Sequence, residues 1–271
     1  MTRRRLAGAA AAVVLALAGC SGSGTGGGSA SPTTTRPVPL PTRTVSTLAE
    51  RCLVDAPGAL ERIPGPDDAT LSGIAFGSGR LGVVLLHQTG AGGLCGWVPY
   101  ARWLGERGVL ALAVDDCVHG ASRCPDAVTA DTRAQVAAGV EWVRARGARR
   151  VAVVGASMGG ARALGVGQAA GADAVVDLSG PDHWDGVPDA LAAARATSVP
   201  LLVVSSDGDT GIDGDALDAA LAASPATLKQ RLRLPGDAHG WDVVTDGVGS
   251  SATVAPRGTW LLRWLRTALG G

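Results

Sequence analysis

The sequence predicts one α/β domain built on a mostly parallel central sheet with helices on both faces. Two observations carry this expectation. Short, nearly continuous apolar runs alternate with longer amphipathic stretches after about residue 50, and no second shift in composition divides the chain. Strands covered on both faces read as unbroken aliphatic runs rather than as alternating ones, because neither face meets water. Alternation of such strands with helices implies right-handed crossovers and a helical layer on each side.

Taken in order, the strand candidates are Leu81–His87, Val109–Asp115, Val151–Gly155, Ala174–Ser179 and Val199–Ser205. Weaker runs at Ala69–Phe76 and Leu228–Leu234 are expected as outer strands. The helical candidates are Gly96–Arg107, Asp126–Arg146, Met158–Ala170, Asp213–Ala223 and Trp260–Leu269. About twenty residues, Gly180 to Val199, join Ser179 to the next strand, which leaves room for one helix and no large lid. With one Phe and one Tyr, the core must draw its bulk from aliphatics and from seven Trp.

The segment before this domain has another character. Arg3, Arg4 and Arg5 precede an apolar run from Leu6 to Ala18, too short to span a bilayer as a helix. Leu17-Ala18-Gly19-Cys20 follows and resembles the bacterial lipobox, in which the Cys is lipidated after cleavage. That resemblance implies a signal peptide at 1–19 and a lipid on Cys20, with the protein anchored at the extracytoplasmic face of a cell membrane. Cleavage there leaves 252 residues with 21 basic and 24 acidic side chains. Such a balance offers no electrostatic reason to expect nucleic acid as a partner. Ser21 to roughly Thr44 is Gly, Ser, Thr and Pro with almost no large apolar groups, and reads as a tether. The tether, counted from Cys20, is set at 20–48 and the folded domain at 49–271.

Four further cysteines remain: Cys52, Cys95, Cys117 and Cys124. An even number in an exported domain suggests two disulfides, with three pairings open. Cys117 and Cys124 flank a short loop and are the favoured pair, with Cys52–Cys95 as the other. Free buried thiols are the alternative.

The chemistry centres on Gly155-Ala156-Ser157-Met158-Gly159, where an apolar strand runs into a Gly-x-Ser-x-Gly turn and then a helix. Such a turn is sharp and strained, so the positions two before and two after the serine must be small, and the serine is presented at the strand's carboxyl end. The Met158 N–H opens the next helix, where it can face a developing oxyanion. Two further loops follow strand candidates: Leu85-Leu86-His87-Gln88-Thr89-Gly90, and Asp115-Asp116-Cys117-Val118-His119-Gly120-Ala121-Ser122.

At these residues the chain resembles the α/β-hydrolase family, over roughly Leu81 to Leu269. The first loop is similar to that family's His-Gly loop, and the second to its Asp-x-x-Gly-x-Gly-x-Ser segment. The resemblance implies an α/β-hydrolase fold with Ser157 as nucleophile. The second oxyanion donor is then the N–H of Gln88, or of Thr89, although Gln88 stands where the family more often has Gly. His87 and His119 become loop-shaping residues. The family's order of serine, acid and histidine places the base at His239 and the acid at Asp209, in Ser206-Asp207-Gly208-Asp209 after a strand candidate. Asp207 and Asp182 stay open as alternatives for the acid. Trp184, His183, Trp97 and Trp241 are candidates to line the pocket.

The activity implied is hydrolysis of a small ester, thioester or related acyl compound through an acyl-enzyme, with no metal or organic cofactor required. A competing reading is a non-catalytic envelope lipoprotein that keeps this scaffold for ligand or partner binding. A pure binder has no need of Ser157, Asp209 and His239 together, which weighs against it.

Overall fold

The computed structural model describes residues 45–53, 57–247 and 252–270. The signal peptide, the lipidated Cys20 and the tether expected from the sequence fall, up to residue 44, outside the described residues. One compact unit runs from Arg43 to Gly271.

Its centre is an eight-stranded sheet of order β1-β2-β4-β3-β5-β6-β7-β8. The strands are β1 Glu61–Pro64, β2 Thr70–Phe76, β3 Leu81–Leu86, β4 Val109–Asp115, β5 Arg150–Ala156, β6 Ala174–Leu178, β7 Leu201–Ser206 and β8 Lys229–Leu234. β1 pairs antiparallel to β2, β2 pairs antiparallel to β4, and all other pairings are parallel. A two-stranded ribbon, β9 Thr245–Asp246 with β10 Thr253–Val254, stands apart.

Helices cover both faces. α4 (Thr132–Ala145), α5 (Met158–Val166), α6 (Ala190–Ala196) and α7 (Gly214–Ala223) bury Val136, Val140, Leu164, Ala193 and Leu217 against Val84, Val153 and Val203. α2 (Val98–Gly105), α8 (Pro256–Leu269) and α1 (Leu48–Cys52) bury Tyr100, Leu104, Leu261, Leu265 and Leu48 against Val83, Leu85 and Val154. Consecutive strand residues therefore feed opposite cores, which is why β3 and β5 carry no polar alternation. Leu85 is fully buried; truncating such a leucine to alanine removes roughly 2–5 kcal/mol.

Several boundaries depart from the sequence expectation. The helix expected over Asp126–Arg146 breaks at Asp131, which leaves helical geometry and caps α4 by accepting the Ala134 N–H at 2.9 Å, so that α3 is only Asp126–Ala130. A short polar side chain satisfies a first-turn amide better outside a helix than within it. The helix expected from Gly96 begins as a 3₁₀ turn, Gly93–Trp97, ahead of α2. The last helix starts at Pro256, where a ring without an N–H loses nothing. β2 is not an outer strand, because β1 covers it. The fold also takes in Ser46 to Leu48, assigned above to the tether. Thr47 and Glu50 form a capping box, and Leu48 is fully buried.

Both disulfides of the favoured pairing are present, Cys52–Cys95 and Cys117–Cys124. The connection from β6 to β7 carries only the seven-residue α6.

Candidate active site

β5 sits between β3 and β6 in the sheet, and Ser157 follows its last residue. The Ser157 backbone has φ 52° and ψ −117°, a region that costs a non-glycine residue about 1–3 kcal/mol. The surroundings impose it. A side chain on Gly155 would overlap the Gly159 carbonyl, and one on Gly159 would overlap the Leu86 carbonyl. Both flanking glycines are thus required by packing, and the Ser157 N–H is tied to Leu178 O at 2.8 Å. Met158 is the first residue of α5, so its N–H has no intrahelical acceptor.

Asp209 and His239 reach the same end of the sheet from the loops after β7 and β8. Those loops are joined to each other: Asp207 N–H donates to Leu234 O and Gly208 N–H to Gly236 O, both at 2.8 Å, and Ser206 Oγ donates to Ala238 O at 2.7 Å. His239 Nδ1 lies 2.7 Å from Asp209 Oδ2. With the carboxylate accepting, Nδ1 carries the proton and Nε2 presents a lone pair. Asp209 is 8% exposed and His239 35%. Gly240, the residue after His239, packs on Ala156, the residue before Ser157; a Cβ built on Gly240 would stand 3.2 Å from the Ala156 Cβ. His239 and Ser157 are therefore brought near each other through their chain neighbours. The Ser157 hydroxyl makes no hydrogen bond to His239 among the described residues, a contact that in resting enzymes is often long and tightens with substrate.

The other carboxylates lie elsewhere. Asp207 points out to Arg233 at 3.8 Å, and Asp182 is exposed. Burial pushes the Asp242 carboxyl up, with nearby His239 opposing that shift.

On the opposite side, His87 Nδ1 donates to Gln88 O at 2.7 Å while its Nε2 accepts the Asp116 N–H at 3.3 Å. Burial pushes the His87 ring's pKa down, in keeping with this neutral role. His119 bonds to Asp116, whose other oxygen takes Arg162. Burial alone would raise the Asp116 carboxyl, but His87, Arg162 and His119 together hold it below its usual range. His87, Asp116 and His119 bring three ligand-type atoms within 4.8 Å of one another. Each already has a hydrogen-bond partner, and the Arg162 guanidinium supplies the positive charge a cation would bring.

Of the four pocket candidates, Trp97 is fully buried, with Nε1 donating to Leu86 O at 2.9 Å, so it supports the loop from beneath. Its ring lies 6.4 Å from that of Trp241, which is partly exposed and packs on Gly96. His183 pairs with Asp189 at 2.6 Å and is 70% exposed, a surface residue. Trp184 is partly exposed. Sequence reasoning missed Arg51, which forks onto Asp115 at 2.7 and 2.8 Å. It also missed Asp177, fully buried at the end of β6 with Oδ1 accepting the Gly180 N–H at 2.7 Å and Oδ2 unpartnered. Its signal was available: a lone acid inside Ala174-Val-Val-Asp177-Leu178.

No family model matches the chain, and no curated protein matches it. Solved structures do. An esterase of Pyrococcus furiosus superposes with a TM-score of 0.64 at 17% identity, over 78% of this chain and 90% of that one. Est1E of Butyrivibrio proteoclasticus, in a structure with ferulic acid bound, superposes at 0.55 and 16% identity, over 76% and 96%. A serine hydrolase without lid from Xanthomonas campestris superposes at 0.50 and 21% identity, over 66% and 84%. Taken with the strand order and the turn at Ser157, these likenesses show that the chain has the α/β-hydrolase fold, without a large lid.

Proposed function

We propose that the protein is a serine hydrolase that cleaves small esters, thioesters or related acyl compounds. The observation that carries this reading is the strained serine turn standing beside a hydrogen-bonded His239–Asp209 pair. Ser157 Oγ attacks the acyl carbonyl while His239 Nε2 takes its proton, and Asp209 holds the imidazole tautomer and offsets its developing charge. The N–H groups of Met158 and Gln88 receive the oxyanion; losing one such donor costs roughly 2.7–4 kcal/mol of transition-state stabilisation. The imidazolium then protonates the leaving group, and water activated by His239 releases the acid. The short β6–β7 connection leaves the site open, which favours small or water-soluble acyl substrates. The esterases and the lidless hydrolase of similar fold support this reading.

We infer in addition that Cys20 carries the lipid that anchors the protein at the extracytoplasmic membrane face. A Cys20→Ala chain that still partitions into the detergent phase would sink that inference.

The activity is tested with a fluorophosphonate probe and a short-chain p-nitrophenyl ester, with Ser157→Ala and His239→Ala variants alongside. Labelling and turnover are expected in the parent and in neither variant. A folded parent that neither labels nor turns over would overturn the reading.

A further inference from the structure

The parallel strands give the domain two poles. Their C-terminal ends carry Ser157, Asp209 and His239. Their N-terminal ends form the opposite pole, where Arg80 precedes β3, Arg149 precedes β5 and Arg150 opens it. The Arg80 carbonyl accepts both the Arg149 N–H at 2.7 Å and the Arg150 N–H at 3.2 Å, which holds the three arginines together. All three are exposed, and they line a cleft of about 430 Å³ with Leu81, Leu269 and Gly270.

Part of the positive charge at this pole has an ordinary explanation. Arg102, Arg144 and Arg266 lie in the last turns of α2, α4 and α8, where cations complement the helix dipole. Glu106 lies 3.5 Å from Arg107, Glu61 lies 3.5 Å from Arg146, and Asp173 pairs with Arg144 and Arg150. Arg80 and Arg149 cap no helix and form no ion pair among the described residues. Their charge is surplus to the fold. It stands out because residues 45–270 hold 19 basic against 24 acidic side chains. The exposed acids Asp182, Asp185, Asp207 and Asp237 lie in loops at the other pole.

We propose that the Arg80/Arg149/Arg150 pole is a docking surface for the anionic phosphate headgroups of a lipid bilayer. Guanidinium groups fork onto phosphate oxygens, and juxtaposed arginines are drawn to an anionic leaflet. Docking by this pole turns Ser157 away from the membrane and leaves its site open. The choice of a bilayer over other polyanions rests on the lipid-anchor reading. Ser21 to Thr44 is 24 residues, and a stretch of that length extends to about 80 Å at most. Either pole can then face the surface, and charge selects the basic one.

The test uses a chain beginning at Arg43, the start of the compact unit, whose cores include nothing before Leu48. It is sedimented at low salt with vesicles of phosphatidylglycerol and phosphatidylcholine, or of phosphatidylcholine alone. Binding is expected only to the anionic vesicles, with an at least tenfold loss at high salt. Arg80→Glu/Arg149→Glu, with the charge-neutral Arg80→Gln/Arg149→Gln as a milder pair, is expected to weaken it at least tenfold. Melting temperature and fluorophosphonate labelling should stay unchanged. Equal binding to both vesicle types, no binding to anionic vesicles, full binding by the variants, or binding of a DNA duplex in place of vesicles would each overturn the proposal. Absent hydrolysis in every preparation would sink the hydrolase reading and leave the vesicle result standing.

Discussion

The two flanks of Ser157 are held in different ways. On one flank, the loops after β3 and β4 are fastened by covalent and ionic links. Cys52–Cys95 ties α1 to the 3₁₀ turn, Cys117–Cys124 closes the β4 loop, Arg51 forks onto buried Asp115, and Arg162 binds Asp116. On the other flank, the loops carrying Asp209 and His239 are joined by a few backbone bonds, the Ser206 hydroxyl on Ala238 O and one His–Asp hydrogen bond, with the ring a third exposed. The difference matches what each flank would do in the proposed reaction. An oxyanion donor acts by standing still, because preorganised dipoles need no rearrangement as charge develops. A base must approach the serine, take a proton and give it up, which a covalently locked loop would hinder.

This contrast separates stability from activity, and it can be broken in order of effect. The largest effect is expected from the loose flank. His239→Ala should lower ester turnover by roughly 10⁶-fold while the melting temperature barely moves. A comparable loss of both would mean that the loop is structural. Next comes the ion pair on the locked flank. Asp115 is fully buried and Arg51 nearly so, and removing one member of such a pair costs about 3–5 kcal/mol. Denaturant titration of Asp115→Asn should show that loss, with activity falling only as folded protein is lost.

The disulfides rank below it. Cys52–Cys95 spans 43 residues and Cys117–Cys124 spans 7, so chain-entropy estimates for their removal are about 4 and about 2 kcal/mol. Paired Cys→Ser variants, compared by their unfolding midpoints, should follow that order.

Asp177 gives a pH signature. Burial pushes its carboxyl from 3.8 up to about 7, opposed in part by the Gly180 N–H and Arg231. The folded state thus binds the proton more tightly than the unfolded chain. Stability is full below about pH 4 and is lost as pH rises towards 7, by an amount on the order of a few kcal/mol. Asp177→Asn should remove that fall, melting above the parent at pH 8 and level with it near pH 4. Identical melting profiles across that range would show that the carboxylate is not buried in the ionised state. The smallest effect belongs to Asp207→Asn. It removes an exposed charge 3.8 Å from Arg233 and should change turnover and stability within about 0.5 kcal/mol.

Much of this was legible in the residues. Five central strands announced themselves because burial on both faces leaves no room for polar alternation. The turn at Ser157 was readable because Gly155 and Gly159 have no sterically permitted substitute. The family resemblance favoured Asp209 for the acid while leaving Asp207 and Asp182 open, and the short gap in sequence between Cys117 and Cys124 pointed to their pairing. β1 was missed because Glu61-Arg62-Ile63-Pro64 has a single buried side chain and lies at the sheet's edge. α6 was foreseen only as one helix somewhere in the β6–β7 connection, since Ala-rich text shows little period.

By itself, then, the sequence determined what local sterics and periodicity control: the alternation of strands and helices, the strained serine turn and the missing lid. Tertiary structure decided what depends on distant partners. It paired His239 with Asp209 and not with Asp207, because zipped loops turn one carboxylate inward to His239 and the other outward to Arg233. It placed Trp97 in the core rather than the pocket and set Asp177 in a site without a full complement of partners. It also gathered Arg80, Arg149 and Arg150, about seventy residues apart in the chain, at one pole. Hydrogen bonds and charges act through space over a few ångströms, and only the folded chain sets those distances.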